Sequence, residues 1–253
     1  MTEVVAAVGP GNQLFWLFVL AAFFVGLSKG GMPGIGMLSV PLLALSISPL
    51  VAAAILLPIY ILSDVVGVWL YRREFSLPNI VILVPAGIAG VVIGWLTASM
   101  VSDRAVSVLV GMVGVSFCLY HWLKPRTRRR VTTADPIKGL FWGTVSGFTS
   151  FVTHAGAPPY QVYVLPQNLS KMVFAGTTTI VFAVINLAKV IPYASLQQYS
   201  PDVFRLSTML LPIALIGTFA GRVFTQKVPD KWFFLAVHLV LFMLSLKLIA
   251  GAL

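Results

Sequence analysis

Residues 14–47 read LFWLFVLAAFFVGLSKGGMPGIGMLSVPLLALSI, an apolar stretch interrupted at its centre by SKGGMPGIG. Its arms, 14–27 and 37–47, are apolar enough for a bilayer, but each is shorter than the roughly 20 residues of a spanning helix. Glycine weakens a helix and proline removes a backbone donor, so the break separates two helical pieces that form a hairpin. A second stretch of the same design occupies 137–166: an apolar arm 137–151, then THAGAPP, then a short arm 160–166. The residues leave open whether the hairpins cross the membrane or re-enter from one side.

Three longer apolar runs follow each hairpin: 50–71, 77–100 and 105–123 in the first half, then 172–193, 204–225 and 232–253 in the second. Each approaches the length of a spanning helix. Composition agrees. Of 253 residues, 58% are hydrophobic and 9% charged, with a mean hydropathy of +0.96, which excludes an ordinary water-soluble globule and leaves no stretch for a separate soluble domain. The expected fold is an all-α membrane protein of two units, residues 1–123 and 137–253, joined by a basic linker at 124–136. With the hairpins included this makes 10 segments in all, or 8 full spans plus re-entrant elements.

The two halves repeat each other. At an offset of 127, Leu83, Pro85, Gly90, Gly94, Val101 and Asp103 meet Leu210, Pro212, Gly217, Gly221, Val228 and Asp230. At an offset of 122, Ser48, Val51, Val68 and Tyr71 meet Ser170, Val173, Val190 and Tyr193, and Asp64 meets the near-isosteric Asn186. Gly26 meets Gly147 at an offset of 121. A hairpin plus three spans crosses an odd number of times, so the repeats are expected to be antiparallel, the inverted plan of many secondary transporters, with alternating access around a shared site.

Charge supplies the orientation. When loops are assigned alternately, thirteen of the seventeen basic residues fall on one side, including Lys29, Arg72, Arg73, Arg222 and the KPRTRRR run of the linker. Arg104, Lys189, Arg205 and Lys247 fall on the other. The positive-inside rule makes the first side cytoplasmic and both termini external. The net charge of +10 therefore reads as topology and contact with membrane lipid, not as a nucleic-acid footprint. Cys118 has no partner for a disulfide or a thiolate metal site. The first residues lack the basic start of a signal peptide, so the segment is expected to stay in the mature protein. Neither cofactor nor metal is expected.

Broken backbone at membrane depth is tolerated only inside protein or beside a wet cavity. The breaks hold Lys29, Gly30, Gly31, Pro33, Gly34 and Gly36 in one repeat and His154, Ala155, Gly156, Pro158 and Gln161 in the other. Proline suits the first turn of a helix, so each break is expected to start a half-helix whose unpaired N–H groups and positive dipole end attract an anion. Lys29 and His154 add side-chain donors. Against this, the glycines serve tight helix packing and Lys29 snorkels to the interface. Asp64 is the one acidic residue inside a clear span. A carboxylate there suggests gating or proton linkage together with Asn186 and Lys189, or else a structural bond between helices. His121 and His238 lack nearby ligand partners and read as packed or interfacial; the tryptophans read as the aromatic belt.

The order Gly26–Leu27–Ser28–Lys29–Gly30–Gly31, then Gly34, Gly36 and Val40–Pro41, resembles the first repeat motif of the TauE/SafE family of sulfite and organosulfonate exporters. Ser146–Gly147 with the break after it resembles the second. The resemblance implies a multi-pass protein of the prokaryotic plasma (inner) membrane that exports sulfite or a small organosulfonate. One departure stands out: the second break is HAGAPP, with His154 and Pro158–Pro159 where the family is glycine-rich. The competing class is a membrane-embedded enzyme acting on a lipid or small anion, which needs a converging nucleophile and base, or a metal set. Uniport, exchange and proton coupling stay open, as does the oligomeric state, a homodimer included.

Overall fold

The structure, a computed structural model, describes residues 12–32, 34–98, 100, 102–123, 131–196, 201–227 and 230–252. Pro33 and the basic run 124–130 lie outside these. The described chain is helical, with no strand among those residues. Helix α1 (Gln13–Lys29) opens on Asn12, whose side chain accepts from the Leu14 N–H at 3.0 Å. It ends at Gly30, and Gly31 follows at φ +115°, a left-handed conformation that suits glycine.

Past the break come a short 3-10 helix, Ile35–Leu38, and α2 (Ser39–Leu43). Ser39 Oγ donates to Ala21 O at 3.1 Å, so the second arm runs back along the first. This arm is less regular than the helix expected over 37–47. The chain winds into 3-10 geometry before α2 and leaves the helix after Leu43, ahead of the Ser48–Pro49 start of the next element.

The second hairpin repeats the plan. Helix α6 (Pro136–Thr153) is capped by Asp135 and followed, across 154–156, by α7 (Ala157–Val164) and a 3-10 helix, Leu165–Gln167. Tyr163 Oη donates to Asp135 O and the Thr132 N–H donates to Pro166 O, both at 3.1 Å, so the two ends of the hairpin lie together. At 1.5 Å per residue α7 rises about 12 Å, well short of the roughly 30 Å hydrocarbon core.

The remaining elements are α3 (Pro49–Tyr71), α4 (Leu77–Ala98), α5 (Asp103–Leu123), α8 (Lys171–Ala188), α9 (Val190–Ser195), α10 (Pro201–Lys227) and α11 (Asp230–Ala252). Among the described residues four apolar stretches are of membrane length: α3, α4, α10 and the run Lys171–Ser195. The protein is a multi-pass membrane protein. The run expected as one span over 172–193 is interrupted at Lys189, between α8 and α9. Pro192 has no N–H to give the carbonyl four residues back, and the helix loosens there.

Helices pack through glycine. A Cβ on Gly26 would stand 2.0 Å from the Ala214 carbonyl oxygen and 2.9 Å from Gly217 Cα, and one on Gly30 would stand 2.6 Å from Gly221 Cα. Contacts advancing in step make α1 and α10 parallel. The same holds in the other hairpin, where Gly147 meets Gly87 and Gly90, and Phe151 meets Gly94; α6 and α4 are therefore parallel too. Each of these pairs is the other displaced by the offsets of the sequence repeat. Helix α3 runs with α10 (Ile55 beside Ser207, Tyr71 beside Arg222), and α8 runs with α4 (Gly176 beside Glu74, Ile185 beside Gly87). Helices α3 and α8 cross in opposite directions, with Tyr71 against Gly176 and Asp64 against Asn186. Helices α5 and α11 pack on each other, Gly111 and Gly114 against Ser245.

Candidate functional site

Where α3 and α8 cross, the two breaks deliver their polar side chains. Lys29, the last residue of α1, lies 4% exposed with Nζ 2.7 Å from Asp64 Oδ1. Asn186 Nδ2 donates to Asp64 Oδ2 at 2.7 Å, and Asn186 Oδ1 accepts from Lys189 Nζ at 2.9 Å. Lys189 Nζ also lies 2.9 Å from His154 Nδ1, while His154 Nε2 lies 2.8 Å from Ala53 O. One hydrogen-bonded chain thus runs from the first break to the second through Asp64, Asn186 and Lys189.

A carbonyl only accepts, so the bond to Ala53 O is donated by His154 Nε2, and Nδ1 faces the Lys189 amine. His154 sits at φ 54°, a region costly for a residue with a Cβ and relaxed for glycine. That conformation accounts for how a histidine occupies a glycine-suited break: the surrounding bonds hold it.

A small cavity adjoins this chain. Its wall includes Lys29, His154, Asn186, Ser28, Ser150 and Tyr60. Tyr60 stacks on the His154 ring with centroids 4.5 Å apart and donates its hydroxyl to Gly36 O at 3.1 Å. Thr178, Thr179 and Phe182 close the side given by α8. The free volume is about 30 Å³, of the order of two water molecules at a threshold of roughly 10–15 Å³ each.

The sequence candidates distribute unevenly over this site. Lys29, Gly36, His154 and Asn186 are on the cavity wall; Asp64 and Lys189 stand behind it, tied to wall residues. Gly30 and Gly31 are instead at the end of α3. Gly30 O accepts from Tyr71 Oη at 2.6 Å, and a Cβ on Gly31 would lie 2.3 Å from that hydroxyl. Gly34 is buried at the start of the first 3-10 helix, and Ala155 packs in an apolar cluster with Leu27 and Ile35. Gly156 abuts Phe182 and Ser150. Pro158 and Gln161 are buried in α7 away from the wall. Pro33 lies outside the described residues.

Lys29, which the loop assignment places among the topology-setting residues, is buried and paired with Asp64. Both ring nitrogens of His154, which the sequence offers as a donor to an anion, lie within hydrogen-bond distance of protein atoms, and Pro158 and Pro159 leave the first turn of α7 with fewer N–H groups. Ser28, Tyr60, Ser150, Thr178, Thr179 and Phe182 escaped the sequence reading. Ser28 opens the first break and Ser150 lies four residues before His154, a local signal; the others come from mid-helix positions with no local mark.

Membrane-length helices around a buried, charged and hydrogen-bonded centre make this a polytopic membrane protein with polar side chains gathered in its interior. Among the described residues no cluster of His, Cys, Asp or Glu suits a metal ion. Residues 18–248 match the family described as Sulfite exporter TauE/SafE, and the chain belongs to that transporter family. No curated protein and no solved structure matches it.

Proposed function

We propose that this protein exports a small sulfur oxyanion, sulfite or a small organosulfonate, across the prokaryotic inner membrane by alternating access of two inverted repeats. The observation that carries the reading is the buried chain Lys29–Asp64–Asn186–Lys189–His154, which joins the two helix breaks beside a small cavity. Burying charge in a membrane protein is costly and is retained where a substrate path needs it. The reciprocal packing of α1 on α10 and α6 on α4, at positions related by the sequence offsets, supports the inverted repeats. Family membership supports the sulfur anion.

In this mechanism the anion enters between the hairpins and meets Lys29 and the hydroxyls of the wall. Asn186 and His154 hold Lys189 in place behind it. Rocking of one set of parallel helices against the other exposes the site to each side in turn. The test is counterflow of labelled sulfite in proteoliposomes against a panel of unlabelled anions, with Lys29→Met alongside. Sulfite-driven counterflow that Lys29→Met abolishes is expected. Counterflow absent from the parent, or undiminished in Lys29→Met, overturns the assignment.

A further inference from the structure

We propose that Phe182 sets how large an anion the cavity admits, its ring being the part of the wall that yields. The assignment rests on the anion-transport reading above and gives the size selectivity of that same site to one side chain. The cavity lies between residues at matched positions of the sequence repeat. Lys29 and Ser150, like Gly36 and Ala157, are separated by 121, and Tyr60 and Phe182 by 122, the offset that also relates Asp64 to Asn186. Both halves of the chain therefore build the wall, and each contributes one aromatic ring.

The two rings are held differently. Tyr60 donates its hydroxyl to Gly36 O at 3.1 Å and stacks on His154 with centroids 4.5 Å apart. Phe182 has no polar atom in its side chain, so packing alone holds it. Its ring leans on Tyr160, with centroids 5.6 Å apart and planes inclined at 58°. Its edge fills the room left by Gly156, where a Cβ would stand 2.5 Å from Phe182 Cε1. Other long side chains of the wall are tied as Tyr60 is: Lys29 and Asn186 to Asp64, and His154 to Ala53 O. Among the described residues of the wall, Phe182 is the large side chain that can turn without breaking a hydrogen bond or an ion pair.

The available room makes such a movement necessary. A free volume of about 30 Å³ takes about two waters, whereas a sulfur oxyanion has at least four heavy atoms and each further carbon asks for more. Turning Phe182 gives up apolar contacts only, while displacing Tyr60 or Lys29 leaves a buried polar partner unmatched. The oxygens of the anion suit Lys29, Ser28 and Ser150, and a carbon attached to it suits the apolar side given by Phe182 and Ala157.

Counterflow of labelled sulfite in proteoliposomes of the full-length protein, competed by methanesulfonate, ethanesulfonate and propanesulfonate, reads the size limit. The three competitors share charge and head group and differ only in carbon, so their ratios report room. In the parent, competition is expected to weaken by at least about ten-fold from methanesulfonate to propanesulfonate. Phe182→Ala should bring the three to within about three-fold of one another, with Phe182→Leu between. A merely structural role of Phe182 would weaken all three by one factor and leave their ratios as in the parent. Equal competition by the three in the parent, or unchanged ratios in Phe182→Ala, overturns the size role while leaving anion transport standing. Absence of sulfite counterflow in the parent removes both readings. If the parent excludes methanesulfonate as well, Phe182→Ala should admit it, and continued exclusion overturns the proposal. If Phe182→Ala fails to accumulate, Phe182→Leu, which keeps an apolar side chain at the wall, decides in its place.

Discussion

Asn186 donates a 2.7 Å hydrogen bond to Asp64, so two residues set at equivalent positions by the sequence repeat touch each other where α3 crosses α8. A local two-fold axis through the pair would produce such a contact. The difference in charge between the two residues makes the site asymmetric: Lys29 has a carboxylate, and Lys189 has an amide.

Asn186→Asp tests that asymmetry. Lys189 Nζ already stands 2.9 Å from the side-chain oxygen and can partner the new carboxylate, while the bond that Asn186 donates to Asp64 is lost and two carboxyl groups face each other there. Added negative charge or a shared proton at this point disturbs the centre next to the cavity. Binding of sulfite and methanesulfonate should fall by at least about ten-fold, read by titration calorimetry and by loss of counterflow; affinity within a factor of about two of the parent would contradict a role for this centre in anion binding.

The glycine contacts are predicted to be intolerant. A Cβ at Gly26 would lie 2.0 Å from a backbone oxygen of Ala214, and one at Gly147 would lie 1.9 Å from that of Gly87. Because backbone cannot swing aside, Gly26→Ala and Gly147→Ala should each cost about 1–3 kcal/mol or more, seen as a lower unfolding temperature in detergent or as failure to accumulate. Gly251 has nothing within 4 Å of its Cβ position, so Gly251→Ala should be neutral or gain a few tenths of a kcal/mol from helix propensity. Equal behaviour of the three variants would remove close helix approach as the reason for these glycines.

Two tyrosines tie the hairpin tips. Tyr71 Oη donates to Gly30 O at 2.6 Å, and Tyr193 Oη donates to Phe151 O at 2.5 Å. Gly30 O has Thr225 Oγ1 as a second donor at 3.4 Å. Tyr193→Phe should therefore cost more than Tyr71→Phe, about 1–3 kcal/mol where a buried acceptor loses its donor and about 0.5–1.5 kcal/mol where one donor remains. Chemical unfolding of both variants gives the order, and the reverse order would refute the pairing.

Orientation is open to labelling. With Cys118 replaced by alanine, cysteines at Asn12 and Thr133 occupy exposed positions ahead of the two hairpins. Because basic residues concentrate at the linker, an impermeant thiol reagent applied from outside should label position 12 and spare position 133. The opposite pattern would invert the assigned topology. Lys29 and Lys189, both buried, drop out of the charge count, and the bias survives without them.

Much of the architecture was legible in the sequence because membrane helices obey strong local constraints. Roughly 20 apolar residues are needed to cross a bilayer, and a Gly/Pro break between shorter arms marks a hairpin wherever it falls. Gly26, Gly90, Gly147 and Gly217, which the sequence matches across the repeat offsets, prove in the tertiary structure to be positions at which helices meet. Asp64, Lys29, Asn186, Lys189 and His154 stood out because charge and amides are rare at membrane depth. Their connection was not legible. Lys29 and Asp64 are far apart along the chain, and only the crossing of α3 with α8 brings that carboxylate to one lysine and the matching amide to the other. Tertiary structure likewise decided that His154 has both nitrogens engaged and that the cavity is walled by Tyr60, Ser150 and Thr179. Side-chain direction at a helix crossing depends on packing between segments distant in sequence, and no local pattern encodes it.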